Sequence, residues 1–371
     1  MRPDQALIAL DLTVILSISS SSSVKISYSS FGTEQLLVIN GYLTNGVYAQ
    51  IERANLSNLT DVHECLLLDG FNNQMEHSTL NIVQNHLMQC GGLIWGRPGS
   101  NGTNNDTLDA YASLNCAYRN LSFPMLQYPR VLATSVLIPP NRIFIAGGEV
   151  PGSHALLKST AIIQFSDDFK EFHSIRGPDM PLPLQHNCLI FDPELEILIS
   201  IGGRSYYGDL RDQIPIGISM ILHLNESSSW MYGPQLKQKR QGHSCGLLKL
   251  ANTTVVVVAG GISEFVGFPI PVDNVEMLVH GENGIGEYWQ TGPPLPKAVH
   301  FGSPAMLSLE SSLLLSHQHS LFKLNCSTTA ATSSLTDECH WTEAAQVWQN
   351  PYILSHIFIL HSDLEKKLTC Q

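Results

Sequence analysis

A short apolar run that ends in two glycines recurs along this chain of 371 residues at a nearly constant interval. The clear copies are residues 143–148, 197–203 and 255–261, and two weaker ones are 87–92 and 36–41. Their last glycines, at 41, 92, 148, 203 and 261, are 51, 56, 55 and 58 residues apart. Aliphatic and β-branched runs predict buried strands, and glycine at their ends permits close backbone approach or positive φ. We therefore interpret the chain as a repeat protein.

A second element recurs in step with the first. It consists of an aromatic residue, a Gly-Pro loop, a basic or small residue and then a histidine. The histidines are His186, His243, His300 and His356, separated by 57, 57 and 56 residues. An earlier copy, residues 130–133, has the arginine and lacks the histidine.

This combination of aromatic residue, Gly-Pro, basic residue, histidine, apolar strand and Gly-Gly resembles the Kelch repeat. The resemblance covers residues 25–365 and implies an all-β fold, a β-propeller with one four-stranded antiparallel blade per repeat. The residues point the same way, because each repeat holds about four short strands between turn residues. One blade cannot bury both of its faces, so blades stack radially into a ring. A degenerate copy at 313–317, which ends 56 residues after Gly261, makes six anchors and predicts six blades.

Closure of such a ring requires both ends of the chain. Residues 352–360 carry the strand and histidine of a repeat, but no Gly-Gly follows them. We expect them to supply the innermost strand to the blade of residues 35–70, as a latch. In the alternative, residues 24–29 fill that place and 352–360 begin a stunted seventh blade.

The N-terminus and the acceptor motifs for N-glycosylation indicate a secreted protein. Residues 1–23 resemble a signal peptide, although Asp11 interrupts the apolar region, and residues 24–371 then form a single propeller domain. Asn-x-Ser/Thr motifs exceed the roughly three expected by chance. They are at Asn55, Asn58, Asn101, Asn105, Asn120, Asn225, Asn252 and Asn325.

The cysteines suit an oxidising compartment, since there are 8 of them, an even number. Cys326 and Cys339 flank a Ser/Thr-rich stretch that would form a hairpin loop, so we expect them to pair. For Cys188 and Cys245, each two residues beyond a repeat histidine, we expect buried thiols, and an inter-blade disulfide is the alternative. No cysteine or histidine grouping has the spacing of a structural zinc site.

The charge balance narrows the class of partner. Acidic residues outnumber basic ones by 32 to 20, a net charge of −12, which disfavours nucleic acid as a partner. Hydrophobic residues make up 43%, enough for a packed core. Beyond the N-terminus there is no apolar stretch of about 20 residues, so we expect no membrane span after signal removal and a released, extracellular chain.

The regular histidines allow two interpretations. Four histidines around the axis of a ring could hold a metal ion. The Kelch resemblance instead implies that this histidine lies in the inner strand and bonds to neighbouring backbone, so we expect a structural role and no metal or other cofactor.

The resemblance places the loop after Gly-Gly and the loop before the histidine segment on one face. The former include residues 94–107, 149–158, 204–213 and 262–273, and the latter 176–183, 232–239 and 292–297. Aromatic and arginine side chains are enriched at binding hot spots. The candidate binding residues are therefore Trp95, Arg97, Arg204, Tyr206, Tyr207, Arg211, Phe265 and Phe268. Their basic bias points to an acidic peptide or a sugar.

These observations favour a non-enzymatic binding module for a protein or glycan, because no catalytic triad motif, nucleotide loop or H-E-x-x-H motif occurs. One alternative is a copper radical enzyme of the galactose-oxidase type, which needs two histidines, two tyrosines and a cysteine cross-linked to one tyrosine. His317 and His319, Tyr206 and Tyr207, and either Cys188 or Cys245 would have to supply them. Others are a structural or matrix role, or an intracellular Kelch adaptor if the signal peptide is not real.

Overall fold

The computed structural model describes most of the chain from residue 35 onward. The described residues are 35–41, 49–55, 58–67, 75–83, 86–95, 110–118, 121–207, 212–225, 229–250, 253–265, 268–280, 284–298, 305–309, 311–317, 320–327, 335–346, 354–360 and 368–370. The expected signal peptide, residues 1–23, lies outside them, as do residues 24–29 of the alternative closure.

The regular secondary structure of the described residues consists of strands and a single helical turn. In chain order these are β1 (Gln35–Gly41), β2 (Ala49–Asn55), β3 (Asn58–Leu67), β4 (Met75–Glu76), β5 (Thr79–Val83), β6 (His86–Cys90), β7 (Leu93–Trp95), β8 (Ala110–Ala112), β9 (Asn115–Tyr118), β10 (Leu121–Pro124), β11 (Thr134–Ile138), β12 (Arg142–Ala146), β13 (Glu149–Val150), β14 (Ala155–Leu156), β15 (Thr160–Phe165), β16 (Phe172–Arg176) and β17 (Cys188–Asp192). They continue with β18 (Ile197–Ile201), β19 (Arg204–Tyr207), β20 (Asp212–Pro215), β21 (Ser219–His223), β22 (Met231–Tyr232), β23 (Ser244–Leu250), β24 (Thr253–Ala259), β25 (Ile262–Phe265), β26 (Phe268–Pro271), β27 (Val275–Val279), β28 (Gln290–Thr291), β29 (Ala305–Ser308), β30 (Ser312–His317), β31 (Ser320–Cys326), the single helical turn α1 (Leu335–Glu338), β32 (Cys339–Gln346), β33 (Leu354–Leu360) and β34 (Leu368–Cys370).

The described strands form six larger antiparallel sheets, one for each repeat, and four smaller sheets of two or three strands, and the all-β prediction is confirmed. From first to last strand, sheet 2 is β5-β6-β9-β10, sheet 3 is β11-β12-β15-β16, and sheet 4 is β17-β18-β21-β22. Sheet 5 is β23-β24-β27-β28 and sheet 6 is β29-β30-β31-β32. Sheet 1 has five strands in the order β33-β1-β2-β3-β34. Four-stranded antiparallel sheets in this series are consistent with a propeller-like fold.

The last repeat joins the first one, as expected. Strand β33 pairs antiparallel with β1 along its whole length, from Leu354 opposite Gly41 to Leu360 opposite Gln35. Strand β34 then pairs with β3 at the other edge of the same sheet, which the sequence did not predict. The C-terminal segment therefore supplies both edges of sheet 1 around three strands from the N-terminal side.

The first strands of successive sheets lie side by side, in the order β5, β11, β17, β23, β29 and β33. Backbone hydrogen bonds link the residues that lead into four of them. Leu132 N donates to His77 O at 3.3 Å, His186 N to Leu132 O at 3.2 Å, and Gly242 N to His186 O at 2.9 Å. All four residues have positive φ, between 53° and 58°. These lead-in residues occupy equivalent positions in sheets 2 to 5. Their hydrogen bonds set the position of each sheet relative to the next one.

The double glycines have a direct steric cause. A Cβ on Gly202 would lie 2.9 Å from Arg240 O in the lead-in segment of the next sheet, and one on Gly203 would lie 2.8 Å from Gln185 O in that of its own sheet. Both residues have positive φ, 56° and 100°. Two backbone segments thus approach from opposite sides, and two consecutive residues without side chains are needed.

The core lies between adjacent sheets. In β24, Val255 and Val257 pack toward Leu313 and its neighbours in sheet 6, while Val256 and Val258 pack toward sheet 4. Because successive side chains of a strand point to opposite faces, a continuous apolar run serves two interfaces. Burial of one such valine contributes about 1.5–3 kcal/mol.

Two arginines of the repeat motif are buried rather than exposed. Arg240 donates to the carbonyls of Gly260 and Asn274, at 3.0 and 2.8 Å, and pairs with the carboxylate of Glu276. Arg130 donates to Gly147 O at 2.9 Å, and Ser159 is its one further partner among the described residues. Burial lowers the pKa of Arg130 to about 10. The basic residue of the motif therefore holds the carbonyl of the first glycine.

Three disulfides occur among the described residues. Cys326–Cys339 confirms the expected pair, and it joins β31 to β32. Cys188–Cys245 joins the first strands of sheets 4 and 5, so our preference for buried thiols was wrong and the alternative is correct. The sulfur atoms meet because neighbouring first strands begin side by side. Cys90–Cys116, between β6 and β9, was not predicted.

Candidate binding site on the hairpin face

Small hairpins project from one end of the sheets. They are β13–β14, β19–β20 and β25–β26, each inserted between the second and third strands of its sheet, and β4-β7-β8 is the counterpart in sheet 2. The segments expected to be loops after Gly-Gly are thus largely strands. We call this end, which also carries the lead-in segments, the hairpin face. The opposite end, with the connections between first and second and between third and fourth strands, is the turn face.

The structure describes the side chains of three of the eight candidate binding residues. Phe268 is exposed in β26, and Arg204 and Tyr206 lie partly buried in β19. Trp95, Tyr207 and Phe265 belong to strands β7, β19 and β25, where only their backbone is described. Arg97 and Arg211 lie outside the described residues.

Tyr206 connects two neighbouring hairpins. Its hydroxyl accepts a hydrogen bond from Leu156 N at 2.7 Å and donates to His154 O at 3.3 Å. Gln213 Nε2 donates to the same carbonyl at 3.3 Å. The polar end of Tyr206 therefore positions β19–β20 against β13–β14, a structural task that composition alone did not indicate.

Arg204 follows the double glycine of sheet 4 and faces the lead-in segment. Its backbone bridges to Gln185, with N–H···O distances of 2.8 and 3.1 Å. Its Nε donates to Gln213 O at 2.9 Å. Within the described part of the chain, no other hydrogen bond or ion pair engages its guanidinium. Its two terminal nitrogens therefore have no hydrogen-bond partner among the described residues.

His186 lies within electrostatic reach of Arg204 and of a second histidine, His77. Burial lowers the pKa of His186 to about 4, and the positive charges of His77 and Arg204 add to this effect. Burial also lowers the pKa of His77, against the opposing influence of Glu149. Both imidazoles are therefore neutral at pH 7, and each can donate one hydrogen bond. The Nδ1 atom of His77 is buried and has no hydrogen-bond partner among the described residues.

Glu149 is the acidic member of this group. Its Oε1 lies 2.6 Å from Nδ1 of the exposed His154, which partly satisfies the carboxylate. Together, His77, Glu149, His186 and Arg204 form what we call the mouth cluster, at the start of the first strands of sheets 2 to 4. One permanent cation and two neutral donors make it suited to an anionic group such as a carboxylate.

The sequence analysis did not select His77, Glu149 or His186 as binding residues. For Glu149 the sequence does contain a signal. Glu149 and Arg204 are equivalent, because each directly follows its double glycine and bridges to a lead-in residue, Val131 or Gln185. The residue after Gly-Gly thus faces the first-strand ends in every such repeat. His77 has no comparable signal, because no Gly-Pro loop and basic residue precede it in the sequence.

The predicted alignment of the repeat histidines is wrong by one residue. His186 corresponds to Gly242 in the chain of lead-in hydrogen bonds, whereas His243 corresponds to Asn187, since each packs on the second glycine of its sheet. His243 is buried, and burial with the charge of Arg240 lowers its pKa to about 3. Neither of its ring nitrogens has a hydrogen-bond partner among the described residues, so the expected bond to neighbouring backbone stays a prediction. The side chains of the other two motif histidines, His300 and His356, are not among those described.

Comparison with known proteins does not identify a family for this chain. No protein-family model matches the chain, and no curated protein matches its sequence. A solved structure titled "Structure of YjhT" aligns with a TM-score of 0.47 at 11% identity, over 78% of this chain and 89% of that one. Within the described residues, no helix is long and apolar enough to cross a membrane.

Proposed function

We propose that this chain is a secreted, non-enzymatic binding module, a six-bladed Kelch-type propeller whose hairpin face takes a protein or glycan ligand through a carboxylate. The observation that carries the proposal is the mouth cluster. Among the described residues, the terminal nitrogens of Arg204 have no hydrogen-bond partner, the neutral His186 is within electrostatic reach, and the carboxylate of Glu149 is already paired with His154.

The closed ring is supported by connectivity. Each sheet corresponds to a blade, the first strands follow one another in blade order, and β33 returns the chain to the first repeat. The Kelch character is supported by the double glycines and by the buried arginine of the motif, which recur with the same contacts at Gly147 and Gly260.

The rigid scaffold favours a binding role. The mouth cluster rests on backbone that is fixed by inter-sheet hydrogen bonds, and Tyr206 holds adjacent hairpins together. Preorganised donors lose little conformational entropy when a ligand binds. Because the chain as a whole is acidic, the donors of the mouth cluster would select for an anion only at close range.

The copper radical alternative loses a necessary component. Its cross-link to tyrosine needs a free thiol from Cys188 or Cys245, but these two residues are bonded to each other. The phenol oxygen of Tyr206 is also engaged by Leu156 N. We therefore do not propose that chemistry.

Secretion is supported by the three disulfides, which persist in oxidising compartments. They also disfavour the intracellular adaptor. The signal-like residues 1–23 and the eight acceptor motifs are consistent with the same route.

A paired ligand screen tests this proposal. Acidic peptides and uronic-acid oligosaccharides would be immobilised beside their own methyl esters, which keep shape and remove charge. We expect binding to members of one class as free acids and loss of binding to the esters. Equal binding to acid and ester would contradict the carboxylate, and the class that binds would identify the ligand as peptide or glycan.

A further inference from the structure

The topology sorts the eight acceptor motifs for N-glycosylation between the two faces. Six fall at connections on the turn face: Asn55 and Asn58 flank the β2–β3 connection, Asn120 lies between β9 and β10, Asn225 follows β21, Asn252 lies between β23 and β24, and Asn325 is near the end of β31. The other two, Asn101 and Asn105, fall between β7 and β8 in the hairpin of sheet 2.

If acceptor motifs were spread in proportion to loop length, most of them would fall on the hairpin face, which has the longer connections. Connections on the hairpin face include every inserted hairpin and every lead-in segment, such as residues 147–159 and 177–187 in sheets 3 and 4. Connections on the turn face are mostly tight, and that between β9 and β10 has only residues 119 and 120. Four acceptors, Asn55, Asn58, Asn120 and Asn252, nevertheless lie in or beside turn-face connections of two residues, and none falls on the hairpin face of sheets 3 to 6.

The acceptors on the turn face are suitably placed for modification. A turn presents its side chains to solvent on a scaffold that is otherwise buried, and the side chain of Asn225 is exposed. Transfer forms a bond between the asparagine Nδ2 and C1 of an oligosaccharide. It breaks the bond from C1 to a lipid diphosphate, which departs as the diphosphate while the amide loses a proton.

We propose that N-linked glycans cover the turn face, so that the hairpin face of sheets 3 to 6, which carries Glu149, His186 and Arg204 of the mouth cluster, is the end left open to a macromolecular partner. The inference rests on the secretion part of the proposed function. It assigns the two ends of the molecule different tasks, with glycans at one and recognition at the other.

Site mapping of the full chain from a secretory host tests the placement. Enzymatic release in heavy-oxygen water marks each occupied asparagine for peptide mass spectrometry. We expect occupied sites on the turn face of several sheets, and Ser227→Ala, which keeps Asn225 but destroys its motif, should lose one glycan. Secretion without glycans on the turn face, or with glycans only at Asn101 and Asn105, would overturn the inference and leave secretion standing. Retention in the cell with unmodified motifs would overturn both.

Two exposed aromatic residues report the shielding without any ligand. Phe268 on the hairpin face is 71% exposed, and Tyr288, in the β27–β28 connection on the turn face, is 68% exposed. Hydroxyl-radical labelling would be compared before and after enzymatic removal of glycans. We expect the labelling rate of Tyr288 to rise and that of Phe268 to stay constant. An equal change at both residues, or a rise at Phe268 alone, would contradict a glycan cover confined to the turn face.

Discussion

Arg240 Nη2 lies 2.8 Å from Glu276 Oε1, and both side chains are fully excluded from solvent. The same carboxylate accepts hydrogen bonds from the backbone N–H groups of Lys237 and Gln238, at 2.6 and 3.1 Å. The pair therefore ties the third strand of sheet 5 to its lead-in segment. Loss of one partner would leave the other charge buried and uncompensated.

We expect Glu276→Gln to lower the free energy of unfolding by about 3–5 kcal/mol. Urea denaturation followed by tryptophan fluorescence would measure it. Lys249→Ala is a matched control, because its ion pair with Glu194 is half exposed and should contribute no more than about 1 kcal/mol. Similar losses for the two variants would show that the buried pair has no special structural role.

The disulfide between Cys188 and Cys245 should stabilise the contact of sheets 4 and 5. Its residues are 57 apart, whereas Cys326 and Cys339 are 13 apart. In the chain-entropy model a longer closed loop gives more stabilisation, typically about 2–4 kcal/mol. We expect the double substitution to Ala at Cys188 and Cys245 to lower the melting temperature more than the same change at Cys326 and Cys339. The opposite order would argue against that model for this fold.

A fourth disulfide is expected between Cys65 and Cys370. These residues are directly opposite in the β3–β34 pair, the register that Cys90 and Cys116 share between β6 and β9. Oxidised glutathione, or another disulfide, would accept the two electrons and two protons of the thiols. Non-reducing peptide mapping should yield the linked peptides. Alkylation of both cysteines in the secreted, unreduced protein would refute this pairing.

Acid should destabilise the fold through its buried histidines. The pKa of His243 falls from its ordinary value of 6.5 to about 3, and that of His186 to about 4. Below pH 6.5 the unfolded chain takes up protons that the folded chain does not, so stability falls as the pH drops toward 4. Each histidine contributes about 1.4 kcal/mol per pH unit to that slope.

The variant His243→Asn isolates this effect, because Asn187 already occupies the equivalent position in sheet 4. Denaturation at several pH values between 7 and 4.5 should show a shallower loss of stability than in the wild type. If the two slopes coincide, His243 is protonated in the folded protein and its burial is not what the structure indicates.

The fold was predictable because its steric requirements repeat. Gly202 and Gly203 are both needed where two backbone segments approach, and the double glycines of sheets 2 to 5 leave a regular mark in the sequence. The pairing of β33 with β1 followed from a strand without its Gly-Gly partner. Strand β34 left no such mark, because its pairing depends on a sheet edge rather than on a motif.

The site was less predictable, because it depends on lateral neighbours. Spacing placed His186 and His243 in the same position, but the lead-in segments differ by one residue, which only the inter-sheet hydrogen bonds show. Tyr206 was expected to contact a ligand, and the structure gives its hydroxyl to the adjacent hairpin. Arg204 is still a candidate binding residue, because its terminal nitrogens form no hydrogen bond with a described side chain.

The most direct test of the account is the affinity of Arg204→Ala for the carboxylate ligand found by the paired screen, measured by calorimetry. A charge-assisted hydrogen bond is worth about 1.5–3 kcal/mol, so Kd should rise about tenfold to a hundredfold. Arg176→Ala, which removes an exposed arginine paired with Asp179 on the outer strand of sheet 3, should leave Kd unchanged. An unchanged Kd for Arg204→Ala, or an equal loss for both variants, would contradict recognition at the mouth cluster.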